Sequence, residues 1–286
     1  MWTIYLKKSY NEAFQGKMPP LFNFEIKGTR LRPLFLFKSS IIQDKISTWH
    51  LSNDEIRCSE VSSNARTMFD YVLYARNLVD YEYNFPEDIT KIKFELKWII
   101  EKMQEVKIKN RVKMTINEDE EDTMFIKIFG LAKSRKDKAI KLSINPDIKL
   151  QISPDIYYEN PVTMHKDDFL PFLKMKPQTK GGKILKEEIE IRIQAPNYIK
   201  FSRLTDTDES EKYGSFRKNE ECYGERFYIN EIKNVFKLSP STTIFNIYQP
   251  KEEKMPIRIG GLAGEFGYWN VYIHCTQCVP IKETEN

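Results

Sequence analysis

The strongest constraint on the fold is the run Phe227-Tyr-Ile-Asn-Glu-Ile-Lys-Asn-Val-Phe-Lys-Leu-Ser-Pro-Ser-Thr-Thr-Ile-Phe-Asn-Ile-Tyr-Gln249. It opens strand-like at Phe227 and Ile229, and apolar residues then recur at Ile232, Val235 and Phe236, the spacing of one helical face. Lys233 and Lys237 share a flank of that helix, so they can address one partner together. Pro240 cannot continue the helix and pushes Ser239 toward extended geometry. Ile244, Asn246 and Tyr248 then alternate with Phe245, Ile247 and Gln249 as in a strand. Strand, short basic helix, break and strand form one unit, and the unit occurs twice. Earlier in the chain, Ile92 and Phe94 lead into Leu96, Ile99, Ile100 and Met103, with Lys97 and Lys102 on the polar side. Lys107 to Asn110 reads as a turn, and Arg111 to Ile116 resumes as a strand. Two copies half a chain apart predict a duplicated domain; a solenoid needs more.

At 286 residues the chain can bury a sizeable core in one or two domains. It has no apolar run of membrane-span length, and Met1-Trp-Thr-Ile-Tyr-Leu-Lys-Lys lacks a signal-peptide pattern. The expectation is an intracellular protein with no membrane partner. Net charge is only +4, so a nucleic-acid role turns on whether basic residues share a face. Cys275 and Cys278 form a CxxC beside His274, with Cys58 and Cys222 elsewhere. One such pair without a second favours reduced structural thiols over a metal site. Neither metal nor cofactor is predicted.

Taken in order, residues 1–21 read as an N-terminal extension ending in Pro19-Pro20. Phe22 to Ile26 alternates as a strand, and Leu31 to Ile42 reads as a helix with Pro33 in its first turn and Arg32 and Lys38 on its surface. Ile46 to Leu51 and Glu55 to Glu60 form a hairpin, and Met68 to Tyr74 a further strand. Glu118 to Asp122 lacks EF-hand spacing and reads as a solvated turn. Lys133 to Lys141 reads either as a localisation signal or, the favoured reading, as leading into an edge strand. Residues 145–161 carry Pro146, Pro154 and Pro161 and read as a long connector laid over a groove. Beyond it, Phe169 to Met175 suggests a helix bearing Lys174 and Lys176, Glu188 to Gln194 and Tyr198 to Arg203 pair as strands, and Tyr213 to Lys218 suits an edge strand. Pro256 to Ile259 and Tyr268 to His274 close the chain, before a tail from residue 276.

Catalytic signatures are missing. GxSxG, HExxH and Walker sequences do not occur, and Gly260-Gly-Leu-Ala-Gly264 precedes a strand, so it reads as a turn and not a phosphate loop. A binding protein is expected, not an enzyme.

The order of elements resembles the sliding clamps of the proliferating cell nuclear antigen (PCNA) family over roughly residues 22–275. Phe227–Gln249 is similar to the family's last strand-helix-strand, including Lys237 and the Ser239-Pro240 step. Met255-Pro-Ile, Gly267 and Tyr272 are similar to its closing strands, Trp49-His-Leu-Ser and Glu60-Val-Ser-Ser to its first hairpin, and Leu150-Gln-Ile-Ser-Pro-Asp-Ile-Tyr157 to its connector. The resemblance implies an α+β fold of two similar clamp domains, residues 22–144 and 162–275. Each has sheets outside and two short helices inside, and the connector joins them. It further implies a homotrimeric ring that encircles double-stranded DNA without reading sequence, and that serves replication and repair by tethering a DNA polymerase. A clamp loader and proteins with a PCNA-interacting peptide are the other implied partners, in the nucleus, at a viral replication site or otherwise in the cytoplasm. The divergence is of the kind expected for a large DNA virus.

A ring that slides should hold phosphates loosely through Lys and Arg and avoid base edges. The expected DNA contacts are Arg32, Lys38, Lys97, Lys102, Lys174, Lys176, Lys233 and Lys237, with Lys174 and Lys237 carrying over best by position. Positions matching the family's partner-peptide pocket are Val61, Ala65, Leu150, Ile152, Tyr158, Pro256 and Tyr272. His274 and Cys275 depart from the small residue and proline of the family rim, and the long N-terminal segment is also atypical. Alternatives are a subunit of a checkpoint-type heterotrimeric clamp, a monomeric clamp-fold DNA-binding or transcription factor, and a small metalloprotein using Cys275 and Cys278.

Overall fold

In the computed structural model of the chain, residues 19–41, 46–107, 109–130, 138–146, 156–169, 179–180, 183–184, 188–194, 198–203, 212–213, 223–252 and 254–276 are described. Leu150, Ile152, Lys174 and Lys176, most of the N-terminal extension and nearly all of the tail lie outside them. The first half runs β1 (Phe22–Lys27), α1 (Gly28–Ile41), β2 (Ile46–Ser52), β3 (Glu55–Val61), β4 (Thr67–Tyr74), β5 (Val79–Tyr83), β6 (Ile89–Glu95), α2 (Leu96–Glu105), β7 (Arg111–Ile116), β8 (Thr123–Phe129) and β9 (Lys138–Ile144). The second runs β10 (Val162–His165), β11 (Thr179–Lys180), β12 (Lys183–Ile184), β13 (Glu188–Gln194), β14 (Tyr198–Arg203), β15 (Lys212–Tyr213), β16 (Tyr223–Tyr228), α3 (Ile229–Val235) with a 3-10 turn at Phe236–Leu238, β17 (Ile244–Tyr248), β18 (Ile257–Leu262) and β19 (Gly267–Ile273).

The duplication is visible in the strand order. In the first half β4-β3-β2-β6 lie side by side, and in the second β15-β14-β13-β16 do. Likewise β9-β8-β7-β1 corresponds to β19-β18-β17-β10. Strand β19 pairs antiparallel with β4, from Gly267↔Leu73 to Ile273↔Thr67, so one sheet of thirteen strands crosses from half to half. Being central, β4 is buried on both faces, which accounts for its almost unbroken apolar sequence.

Helices α2 and α3 are short and bury one flank. Leu96, Ile99 and Met103 bury one side of α2, and Ile229, Ile232 and Val235 bury one side of α3. Beneath the helices each half has an aromatic cluster. Trp49 meets Phe35 and Phe94 at ring distances of 5.7 and 5.1 Å, and Phe236 meets Phe169 and Phe245 at 3.9 and 5.3 Å. Trp269 is fully buried on Phe245 at 5.6 Å.

Several expectations are corrected. Helix α1 begins at Gly28, whose N–H donates to the Asn110 carbonyl at 3.0 Å, so Pro33 lies past the first turn and the Thr29 carbonyl has no i+4 donor. Residues 138–144 are not a sheet edge throughout: β9 pairs with β8 through Lys138–Lys141 and with β6 through Leu142–Ile144. Gly260 and Gly261 continue β18 in register with Asn270 and Trp269, and position 261 needs glycine because a Cβ there would stand 2.4 Å from the Trp269 indole; the turn follows, with Gly264 at φ +63°. Cys58 is a free buried thiol, but Cys275 is disulfide-bonded, against the expectation of reduced thiols. Edge strand β5 escaped the sequence reading. Among the described residues no helix is long and apolar enough to cross a membrane.

Candidate nucleic-acid and partner interfaces

Helix α1 packs against α2, α3 and the 3-10 turn, so its basic residues meet neighbours on several sides. Arg32 donates from its guanidinium to the carbonyl of Val106 at 3.1 Å and so caps the C-terminal end of α2. Arg30, on the same helix, donates to the Ser241 carbonyl at 2.9 Å and ties the two halves together. Lys38 is 0% exposed. Its ammonium is held by the Glu60 carboxylate, the Ser47 hydroxyl and, at 2.9 Å, the Cys58 sulfur. Lys38 is therefore withdrawn from the expected DNA contacts, because a buried ammonium with a buried counter-ion cannot reach phosphate. Burial would depress its pKa, yet the Glu60 carboxylate and the hydrogen bonds to Cys58 and Glu60 carry it above the ordinary lysine value. Burial also pushes the Cys58 thiol and the Tyr71 phenol up, so both stay protonated beside the ion pair.

Helix α2 is corrected in the same way at Lys102, which is 8% exposed and paired with Glu105 at 3.2 Å. Lys97 is exposed, 2.9 Å from Glu95 and over the Trp98 ring at 4.5 Å. Lys138 approaches the same ring at 4.2 Å, a neighbour the sequence reading missed. In the second half Lys233 is half-buried and engaged, and Lys237 is exposed. Partial desolvation lowers the Lys237 pKa. Among the described residues Lys237 has no carboxylate partner.

The expected partner pocket is set by strand register. Antiparallel partners directly opposite each other project from the same sheet face. The pairs Val61↔Met68, Met68↔Tyr272, Tyr272↔Arg258 and Arg258↔Tyr248 therefore form one row across five strands, from β3 to β17. Ile257, Ile259, Val271 and Ile273 point the other way into the core, so the row lies on the outer face. Tyr158 closes over it, donating to the buried Pro256 carbonyl at 3.0 Å, with ring distances of 6.3 Å to Tyr248 and 6.5 Å to Tyr272. Tyr158, Pro256 and Tyr272 are thus brought together. Val61 is at the far end of the row, about 10 Å from Tyr272 by strand spacing.

Ala65 lies beyond, in the β3–β4 turn at φ +52°. The next residue anchors that turn to the second half. Arg66 donates to the carbonyls of His274 (3.0 Å) and Cys275 (2.6 Å), stands 3.4 Å from Glu231 and covers the Tyr228 ring at 4.8 Å. The His274 ring is buried, and burial together with Arg66 lowers its pKa. Sequence reasoning missed Arg66, Tyr248 and Arg258. Only strand alternation around Arg258 and Tyr248 hinted at a shared face. Among the described residues no group of His, Cys, Asp or Glu is placed to hold a metal ion.

Comparison with solved structures identifies the architecture. The crystal structure of proliferating cellular nuclear antigen from Entamoeba histolytica superposes with a TM-score of 0.70, covering 90% of this chain and 99% of that one, at 10% sequence identity. The chain therefore has the PCNA-like clamp fold of two similar halves. No protein-family model matches the sequence, and no curated protein matches it either.

Proposed function

We propose that this protein is a DNA sliding clamp: a homotrimeric ring around duplex DNA that tethers a polymerase and other replication or repair proteins through the groove under Tyr158. The two clamp domains are residues 22–144 and 162–275, with 145–161 as connector. The observation that carries this reading is the match of the whole architecture to the Entamoeba antigen. Internal repetition supports the ring. Strand β19, last of the second half, pairs with β4 of the first. The strands equivalent to that pair are β9 and β15, and β15 ends its four-stranded sheet. Joining β9 of one copy to β15 of the next repeats the same pairing head to tail, and three repeats close a ring. On this reading Lys97, Lys233 and Lys237, with Lys174 and Lys176, face the DNA.

A second reading, a subunit of a heterotrimeric clamp, is favoured by the buried cations of the first half, since unlike subunits need not contribute equal charge. Encirclement is tested by threading the protein onto linear duplex and then blocking both ends with biotin–streptavidin. The expected result is retention through a high-salt wash on blocked DNA and loss from unblocked DNA. Equal retention on both would exclude a ring around the duplex.

A further inference from the structure

The floor of the groove is not uniformly apolar. Arg258 stands in its centre, half-buried, with its guanidinium 3.7 Å from the Tyr248 ring centroid and 4.6 Å from that of Tyr158. Its Nε is buried, and among the described residues it has no hydrogen-bond acceptor. The arginines nearby have carboxylate partners: Arg57 pairs with Asp70 on the same outer face at 3.3 Å, and Arg66 stands 3.4 Å from Glu231, although its own Nε also makes no hydrogen bond. For Arg258 no carboxylate partner is found among the described residues. A buried, unpaired guanidinium N–H is costly to leave unmade. Stacking on ring faces leaves the in-plane donors of the fork available for a planar, two-oxygen acceptor.

We propose that Arg258 makes this groove select peptides that carry an aspartate or glutamate beside their aromatic or apolar anchors. The inference rests on the partner-groove reading above and adds a charge requirement to it. An entering carboxylate would take both in-plane donors of Arg258 while the peptide's apolar groups cover the half-buried Tyr158 and Tyr248. The acidic side chain thus fixes the register of the plug along the row, and an uncharged peptide of the same shape is disfavoured because it would bury the fork without an acceptor.

The test is selection from a displayed library of random 16-residue peptides on the full chain, on Arg258→Met, which keeps a long side chain against the tyrosines, and on Tyr158→Ala. Thermal melting first establishes that each variant is folded, and Arg258→Lys, which keeps the charge without the fork, replaces Arg258→Met if that variant does not fold. The wild type is expected to enrich peptides with Asp or Glu at a fixed spacing from an aromatic residue, and the Arg258 variant to lose that enrichment. By fluorescence anisotropy, Glu→Gln in a selected peptide should weaken binding about tenfold on the wild type and less than about twofold on the variant. Identical selections on both proteins, with Tyr158→Ala still abolishing binding, would overturn the role of Arg258 and leave the groove reading standing. No enriched peptide, or peptides indifferent to Tyr158→Ala, would overturn the groove reading and the arginine with it.

Discussion

The helices of the two halves carry the same kind of basic residue and use it differently. In the first half Lys38 and Lys102 are buried against Glu60 and Glu105, and Arg30 and Arg32 cap backbone carbonyls. In the second, Lys237 stands exposed and partly desolvated, and Lys233 is half-buried. The difference follows from position in the helical layer. Helix α1 contacts α2, α3 and the 3-10 turn together, so few of its flanks face solvent. Lys38 on that helix and Lys102 on its neighbour α2 become part of the packed layer, whereas Lys237, in the 3-10 turn after α3, stays exposed.

The buried pair should respond most strongly to substitution. Glu60→Ala strands the Lys38 ammonium and should cost about 3–5 kcal/mol in urea unfolding, whereas replacing both residues by Met should recover most of that loss. If Lys38→Met alone is neutral for stability but weakens DNA binding, Lys38 belongs on the DNA face after all. Next is the seam between the halves. Arg66→Ala removes donors from two carbonyls and a charge from beside Glu231, and should lower stability by about 1–3 kcal/mol in the same assay.

The salt dependence of DNA binding should separate the exposed lysines from the buried ones. Lys237→Ala should reduce the slope of log K against log salt by about 0.9, Lys97→Ala by less because Glu95 already offsets its charge, and Lys102→Ala by nothing measurable. Equal changes for all three would erase the distinction between the halves. The smallest effect concerns pH. His274 has a pKa held below its ordinary 6.5, so the folded state binds its proton more weakly than the unfolded chain does. Its contribution is full above about pH 6.5 and is lost as pH falls through the lowered folded pKa. His274→Asn should therefore flatten part of the decline in melting temperature between pH 7 and pH 5. An unchanged decline would assign the acid sensitivity to other groups.

Local periodicity made much of the fold legible. The spacing of Leu96, Ile99 and Met103, and of Ile229, Ile232 and Val235, located α2 and α3, and alternation located β13, β14 and β17. What was illegible depended on partners distant in sequence. Nothing beside Lys38 marks it as the counter-ion of Glu60, and nothing in Gly260-Gly261 announces an indole across the next strand. Strand β5 was missed because Val79-Asp-Tyr-Glu-Tyr83 is short and acidic, with the exposure of an edge. The outer-face row was half legible. Family likeness pointed to Tyr158, Pro256 and Tyr272, but only the register of β17, β18 and β19 set Arg258 between two tyrosines.

A ring requires that the pairing of β19 with β4 inside one chain be repeated between chains. Light scattering of the purified full chain, across a dilution series, measures this most directly. The expected result is a particle of three chains that Pro substitution at Ala139, an exposed position of β9, splits into single ones. A wild-type chain that is a monomer at every concentration would contradict it.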